Sequence, residues 1–268
     1  MALPNHILGI LLLPLLLACT ERPEADDPQP DELLVFAAAS LRDAMTEVGA
    51  AYEAQPESSR LHFNFGASNT LAQQLIASPR ADAFVSANEA WMDRAEQASV
   101  LAPGSRRVLL SNRLVLIAPR NSTVRVDHPC GLLDSDFEYL VLGNPEAVPA
   151  GVYARQHLAS VDCPGHGNAW AALSPKVLPM PDVRAALAQV ERRRRVVGFT
   201  YRTDAATSSR VRVLYEVRGP TAPRITYPAA LTRGRDGAPQ RRFMDFLQGP
   251  VATSIFTRHG FLMAAGGA

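Results

Sequence analysis

Residues 33–52 read LLVFAAASLRDAMTEVGAAY, and residues 61–77 read LHFNFGASNTLAQQLIA. Both pass from a short strand-like run, through small residues and a serine, into a helical stripe. Leu33, Leu34, Val35, Phe36 and Ala37 form the first run. Leu41, Met45, Val48 and Tyr52 then recur at spacings of four, three and four, as on the buried face of an amphipathic helix. In the second copy Leu61, Phe63 and Phe65 alternate with His62 and Asn64, Gly66-Ala67-Ser68 turns the chain, and Leu71, Leu75 and Ile76 mark the helix. Ala83-Phe84-Val85 and residues 88–97 repeat the unit a third time. Strands alternating with helices predict an α/β fold with mostly parallel sheets flanked by helices.

Further along, Arg113-Leu-Val-Leu-Ile-Ala-Pro119 is a strongly apolar strand closed by a proline. A second α/β stretch follows: strand 139–142, helices 151–159 and 182–194, and strand 196–200. Strands at 211–215 and 225–231 and a helix over 240–247 complete the chain. The second stretch reads as a lobe inserted in the first. The expected division is residues 32–113 plus 209–268 for lobe 1 and 114–208 for lobe 2, with crossings near 113–118 and 210–215.

The chain has 268 residues, 47% of them hydrophobic and 20% charged, a globular composition. A net charge of +1 gives no basic excess for a nucleic-acid partner. Residues 7–18 form an apolar run of twelve, too short to span a bilayer but suited to a secretory signal over residues 1–18. It ends in Leu16-Leu17-Ala18-Cys19, which resembles a bacterial lipobox, and residues 19–31 are acidic with three prolines, as in a flexible tether. The expectation is a lipoprotein anchored through Cys19 in the periplasm or at the cell surface. With Cys19 acylated, Cys130 and Cys163 remain as a pair. They read as a disulfide, as free thiols, or with His128 and His166 as a metal site.

Ser40 and Ser68 hold the same place, after a strand and before a helix. Each reads as a simple N-cap, or as part of an anion site. In the second reading the free N–H groups and positive dipole end of a helix face the carboxyl ends of the strands, where ligands collect in α/β sheets. Other chemistry is poorly served. Gly66-Ala-Ser68-Asn-Thr70 lacks the second glycine of a hydrolase elbow, no GxGxxG or phosphate loop occurs, and the six histidines are scattered. Residues 192–195, four arginines, read as a solvated helix end, and Trp91 and Trp170 as packing residues.

Six segments occur in order: Phe36-Ala-Ala-Ala-Ser40-Leu, Phe65-Gly-Ala-Ser68-Asn-Thr-Leu, Ala81-Asp-Ala-Phe-Val-Ser86-Ala, Gly143-Asn-Pro-Glu-Ala-Val-Pro-Ala150-Gly-Val-Tyr-Ala, Asp182-Val183-Arg-Ala-Ala-Leu and Val197-Gly-Phe-Thr-Tyr201. Together they resemble the periplasmic molybdate-binding proteins of bacterial ABC importers, over about residues 33–261. The resemblance implies a two-lobe type II periplasmic binding protein fold that closes on an oxyanion. It implies hydroxyl and amide donors from Ser40 and Ser68, amides from Ala150 and Val183, and the hydroxyl of Tyr201. The ligand it implies is molybdate or tungstate, the partner an ABC permease, and the protein a monomer without catalysis or cofactor. Alternatives are another tetrahedral oxyanion, such as sulfate or phosphate, and a serine-dependent hydrolase. The last needs a histidine and a carboxylate beside Ser40 or Ser68. Asn144 stands where the family often has Asp, in a region expected to serve the hinge. Residues 162–168, with Cys163, look like an insertion, and residues 123–137, with Cys130, also depart from the family.

Overall fold

A computed structural model describes residues 32–220 and 222–264. The signal segment, Cys19 and the tether lie outside the described residues. Strand β1 (Glu32–Ala38) leads through a 3-10 turn (Ala39–Leu41) into α1 (Arg42–Glu53), β2 (Arg60–Gly66) into α2 (Ser68–Ala77), and β3 (Ala83–Val85) into α3 (Glu89–Gln97). The two-residue period of β1 divides its side chains between two cores. Leu33, Val35 and Ala37 pack with Met45, Val48 and Tyr52 of α1, while Phe36 packs with Leu71 and Leu75 of α2 and Met92 of α3. Tyr52 meets Phe243 and Phe246 edge-on at 5.2 and 5.3 Å, which fixes α1 against the C-terminal part of the chain.

β4 (Arg107–Ser111) then runs to the lobe boundary, and after Asn112 and Arg113 the chain continues as β5 (Leu114–Pro119). The second lobe adds β6 (Tyr139–Gly143), α4 (Pro149–Ala159), a small hairpin of β7 (Asp162–Cys163) and β8 (Gly167–Asn168), and α5 (Ala169–Leu173). It continues with β9 (Val177–Met180), α6 (Val183–Arg192), β10 (Val196–Tyr201), α7 (Arg202–Ala206) and β11 (Val211–Glu216). The chain returns through β12 (Thr226–Leu231), α8 (Ala238–Gln248), α9 (Pro250–Arg258) and β13 (Leu262–Met263). One sheet has the order β13-β4-β12-β3-β1-β2, the other β11-β5-β10-β6-β9. All six residues of β5 are buried. Val115 and Ile117 face the core under α6, and Leu114, Leu116 and Ala118 face the opposite one.

The structure corrects two expectations. The sheets are mixed rather than mostly parallel: β1 pairs parallel with β2 and β3, and β6 with β9 and β10, but β12 and β5 run antiparallel to their neighbours. The cause is the double crossing. β5 and β12 each enter a lobe from the cleft, against strands that end there. The return also comes later than residue 209, because Val211–Glu216 pairs with β5 in the second sheet. The crossings are therefore Asn112-Arg113 and the segment between β11 and β12. Asn144 lies in neither. Its side chain accepts the Glu146 amide at 2.9 Å in the turn after β6, which leaves the departure there clear of the crossings.

Cys130 and Cys163 are joined by a disulfide, which ties the turn at Pro129–Leu132 to the β7–β8 hairpin. The two cysteine-bearing segments are thus held together as one local unit. Both thiols are consumed by the bond, and among the described residues no group of three or more His, Cys, Asp or Glu is placed to hold a metal.

Candidate functional site

β1, β2, β6, β9 and β10 all end at the cleft, and the segments that follow them start there. Ser40 sits in the 3-10 turn before α1, and Ser68 is the first residue of α2. Ala150 is second in α4 after Pro149, whose missing N–H costs nothing at a helix start. Val183 is first in α6, behind the N-cap Asp182, whose carboxylate accepts the Ala185 amide at 2.9 Å. Tyr201 closes β10. All five line one cavity, with Ala38, Gly66 and Ala87 from the first lobe and Val148 and Asp182 from the second. It is small: about 10 Å³ is open to the centre of a water-sized sphere, roughly one such sphere's worth of room. A cleft of about 300 Å³ near residues 102–107 and α8 lies at the opposite end of the first sheet, where β12 finishes, away from the helix starts.

The α4 start is seated by a glycine. A Cβ on Gly151 would fall 1.9 Å from the Gly143 carbonyl oxygen, so only glycine lets α4 begin directly against the end of β6. That contact places the Ala150 amide at the cavity.

Apart from Asp182, whose carboxylate is used by the Ala185 amide, the polar side chains lining the cavity are hydroxyls. Ser68 Oγ accepts the Ala87 amide at 2.9 Å, and Ser40 Oγ lies 3.1 Å from the Tyr227 hydroxyl. Neither serine has a histidine for a partner, so the arrangement that activates a serine nucleophile is not assembled. The Tyr201 hydroxyl is buried without any hydrogen-bond partner, its residue 1% exposed. Burial drives its ionisation well above the ordinary tyrosine range, so it stays an O–H donor. A buried unpaired hydroxyl is costly, and at a cavity wall it marks a place where a ligand supplies the acceptor.

No Lys or Arg lines the cavity. The two cations directly next to cavity residues in sequence are already engaged: Arg202 Nη1 is 2.9 Å from Glu216, and Arg184 Nη2 is 2.6 Å from Asp43 on α1 and its Nε 2.5 Å from Asp204. Asp204 is fully buried, and burial raises its carboxyl to about 7 against the opposing pull of Arg184. The Asp43–Arg184 pair crosses the cleft. So does Trp91, whose Nε1 donates to the Ala147 carbonyl at 2.8 Å, and Tyr153, whose hydroxyl donates to the Ala87 carbonyl at 3.4 Å. Trp91 therefore does more than pack. Tyr227 and Asn112, which lie behind Ser40, escaped the sequence reading. Their contacts join residues 115 and 187 positions apart, a separation no local pattern encodes.

Two lobes closed over a small, donor-lined cavity at converging helix starts define a solute-binding protein of the two-lobe class. The family of bacterial extracellular solute-binding proteins matches residues 33–262. The Molybdate-binding protein ModA of Escherichia coli is 37% identical over 238 residues, covering 86% of this chain and 88% of that protein. A Putative ABC transporter substrate-binding lipoprotein, YvgL of Bacillus subtilis, is 30% identical over 92% of this chain and 93% of its own length. A solved substrate binding domain of a putative molybdenum ABC transporter from Clostridium difficile superimposes with a TM-score of 0.67 at 28% identity, covering 87% of this chain and 99% of that one. The chain belongs to the bacterial extracellular solute-binding proteins, among the relatives of the molybdate-binding proteins.

Proposed function

We propose that the protein binds molybdate outside the cytoplasmic membrane and delivers it to an ABC importer. The observation that carries this reading is the convergence of four helix starts and the partnerless Tyr201 hydroxyl on one small cavity without a basic side chain. Such a site suits a small, fully ionised oxyanion. Helix dipoles and neutral donors offset its charge, and the donors are fixed beforehand, so little ordering is required on binding. Ser40 and Ser68 supply hydroxyls and amides, Ala150 and Val183 supply amides, and Tyr201 supplies its hydroxyl. Tungstate, nearly the same size, is held by the same set. Sulfate is smaller and cannot reach every donor, and hydrogen phosphate turns an O–H toward a donor. The protein holds its ligand without converting it. It acts as a monomer, and the closed pair of lobes is the form the permease reads.

Anchoring through a lipid on Cys19 fits this role, and the lipoprotein among the relatives supports it. A disulfide between Cys130 and Cys163 suits an oxidising compartment.

The deciding experiment is calorimetric titration of the purified protein with molybdate, tungstate, sulfate and phosphate in one buffer. One-to-one binding of the first two and silence from the others is the expected result. Silence from molybdate, or a preference for sulfate or phosphate, overturns the reading.

A further inference from the structure

Asn112 is buried at the first crossing between the lobes, and its side-chain amide is fully used. Oδ1 accepts the Arg113 amide at 2.8 Å, which fixes which end of the amide is nitrogen. Nδ2 then donates to Thr203 Oγ1 at 2.9 Å and to the Tyr227 hydroxyl oxygen at 3.2 Å. Tyr227 is wholly buried, and its own hydroxyl hydrogen must go to an acceptor. The other oxygen bonded to it is Ser40 Oγ, at 3.1 Å. An amide N–H cannot accept, so Asn112 donates to Tyr227, and the arrangement that also gives the Tyr227 hydrogen an acceptor runs from Tyr227 to Ser40. In that arrangement the Ser40 hydrogen is not spent on Tyr227, and Ser40 lines the cavity. Ser68 is set the same way by a simpler device, since the Ala87 amide can only donate to its oxygen.

We propose that Tyr227 and Asn112 are positioning residues that lock the Ser40 hydroxyl as a donor and thereby select a fully ionised oxyanion over one that carries a proton. This rests on the oxyanion reading of the cavity. Neither residue lines the cavity. They act through Ser40, by denying its hydrogen any other use. An anion with an O–H facing Ser40 would set hydrogen against hydrogen.

The test is a thermodynamic cycle in the full chain, titrated with molybdate and with inorganic phosphate. Tyr227→Phe keeps the ring but frees the Ser40 hydroxyl to rotate. It is expected to weaken molybdate about tenfold, on the order of one hydrogen bond to a charged group, and to narrow the molybdate-over-phosphate preference. In a Ser40→Ala background the same change is expected to cost less than twofold, because its route to the ligand is gone. Asn112→Asp keeps the acceptor for Arg113 but turns the donor toward Tyr227 into an acceptor, which reverses the chain. Its loss is expected to exceed that of Tyr227→Phe, with the same shrinkage in the Ser40→Ala background. It also serves if Tyr227→Phe does not fold, as judged by circular dichroism and the unfolding midpoint. Unchanged molybdate affinity in Tyr227→Phe, or equal losses with and without Ser40, overturns the proposal while wild-type binding stands. Failure of the wild type to bind molybdate overturns instead the oxyanion reading on which it rests.

Discussion

The two lobes meet the cavity by different means. In the proposed binding mode the first adds side chains to its amides, the hydroxyls of Ser40 and Ser68, each backed by a hydrogen bond from its own lobe. The second offers mainly backbone, the starts of α4 and α6 at Ala150 and Val183, with Tyr201 as its one side-chain donor. A side-chain donor can be deleted by one substitution. A backbone donor survives any change of its own side chain and is lost only when the helix that carries it moves. The first lobe is therefore vulnerable at the contact, the second at the packing that seats its helices.

The sharpest way to break this contrast is Gly151→Ala. The added carbon would collide with the backbone of Gly143 and Asn144, atoms that cannot swing aside as a side chain can. The start of α4 must shift, and the Ala150 amide with it. Molybdate affinity should fall more than about a hundredfold, or ~2.7 kcal/mol, and the unfolding midpoint should drop. Calorimetry and thermal unfolding check both. Wild-type binding in this variant would show that the second lobe does not present its amide through the α4 seat.

Two side-chain deletions then sharpen the contrast. Ser68→Ala removes a proposed donor to the ligand and also leaves the buried Ala87 amide without its acceptor. It should weaken binding by about 1–3 kcal/mol and also lower the stability of the ligand-free protein. Tyr201→Phe should cost binding a similar or slightly smaller amount. The ligand-free protein should be as stable as the wild type or more so, because the hydroxyl it loses has no protein partner. Unfolding with and without molybdate separates the two. A Tyr201→Phe protein that loses stability without ligand would mean that the hydroxyl serves the fold.

The same contrast explains what could be read in advance. The serines were legible because strand, serine and helix follow one another in sequence, a local pattern with a local cause. Ala150 and Val183 could come only from resemblance, since an amide is the same on every residue and nothing in an alanine announces a ligand. Tyr201 and Tyr227 are both buried tyrosines at strand positions, and sequence gives no sign of which one faces the cavity. In the fold, β9 is a strand the sequence pattern does not announce, since it contains Pro179, and at the sheet edge a proline forfeits no ladder bond. The last helix expected from the sequence covers 240–247, yet α9 follows, with Pro250 as its first residue, where a missing N–H costs nothing. The reversed directions of β5 and β12 follow from the crossings, which pair residues remote in sequence.

The smallest expected effect on binding is at the disulfide, and it bounds the contrast from outside. Cys163 lies just beyond the C-terminal end of α4, a helix of 11 residues and so about 16 Å long, whose other end meets the cavity. The bridge closes a loop with a separation of 33 residues and restrains mainly the unfolded chain, so Cys130→Ser with Cys163→Ser should cost about 2–4 kcal/mol of stability. Molybdate affinity at a temperature where the variant is folded should match the wild type. Were affinity to fall along with stability, the far end of α4 would be transmitting strain to its start. The seat at Gly151 would then be one end of a lever rather than a fixed point, and the second lobe's backbone donors would depend on the whole helix.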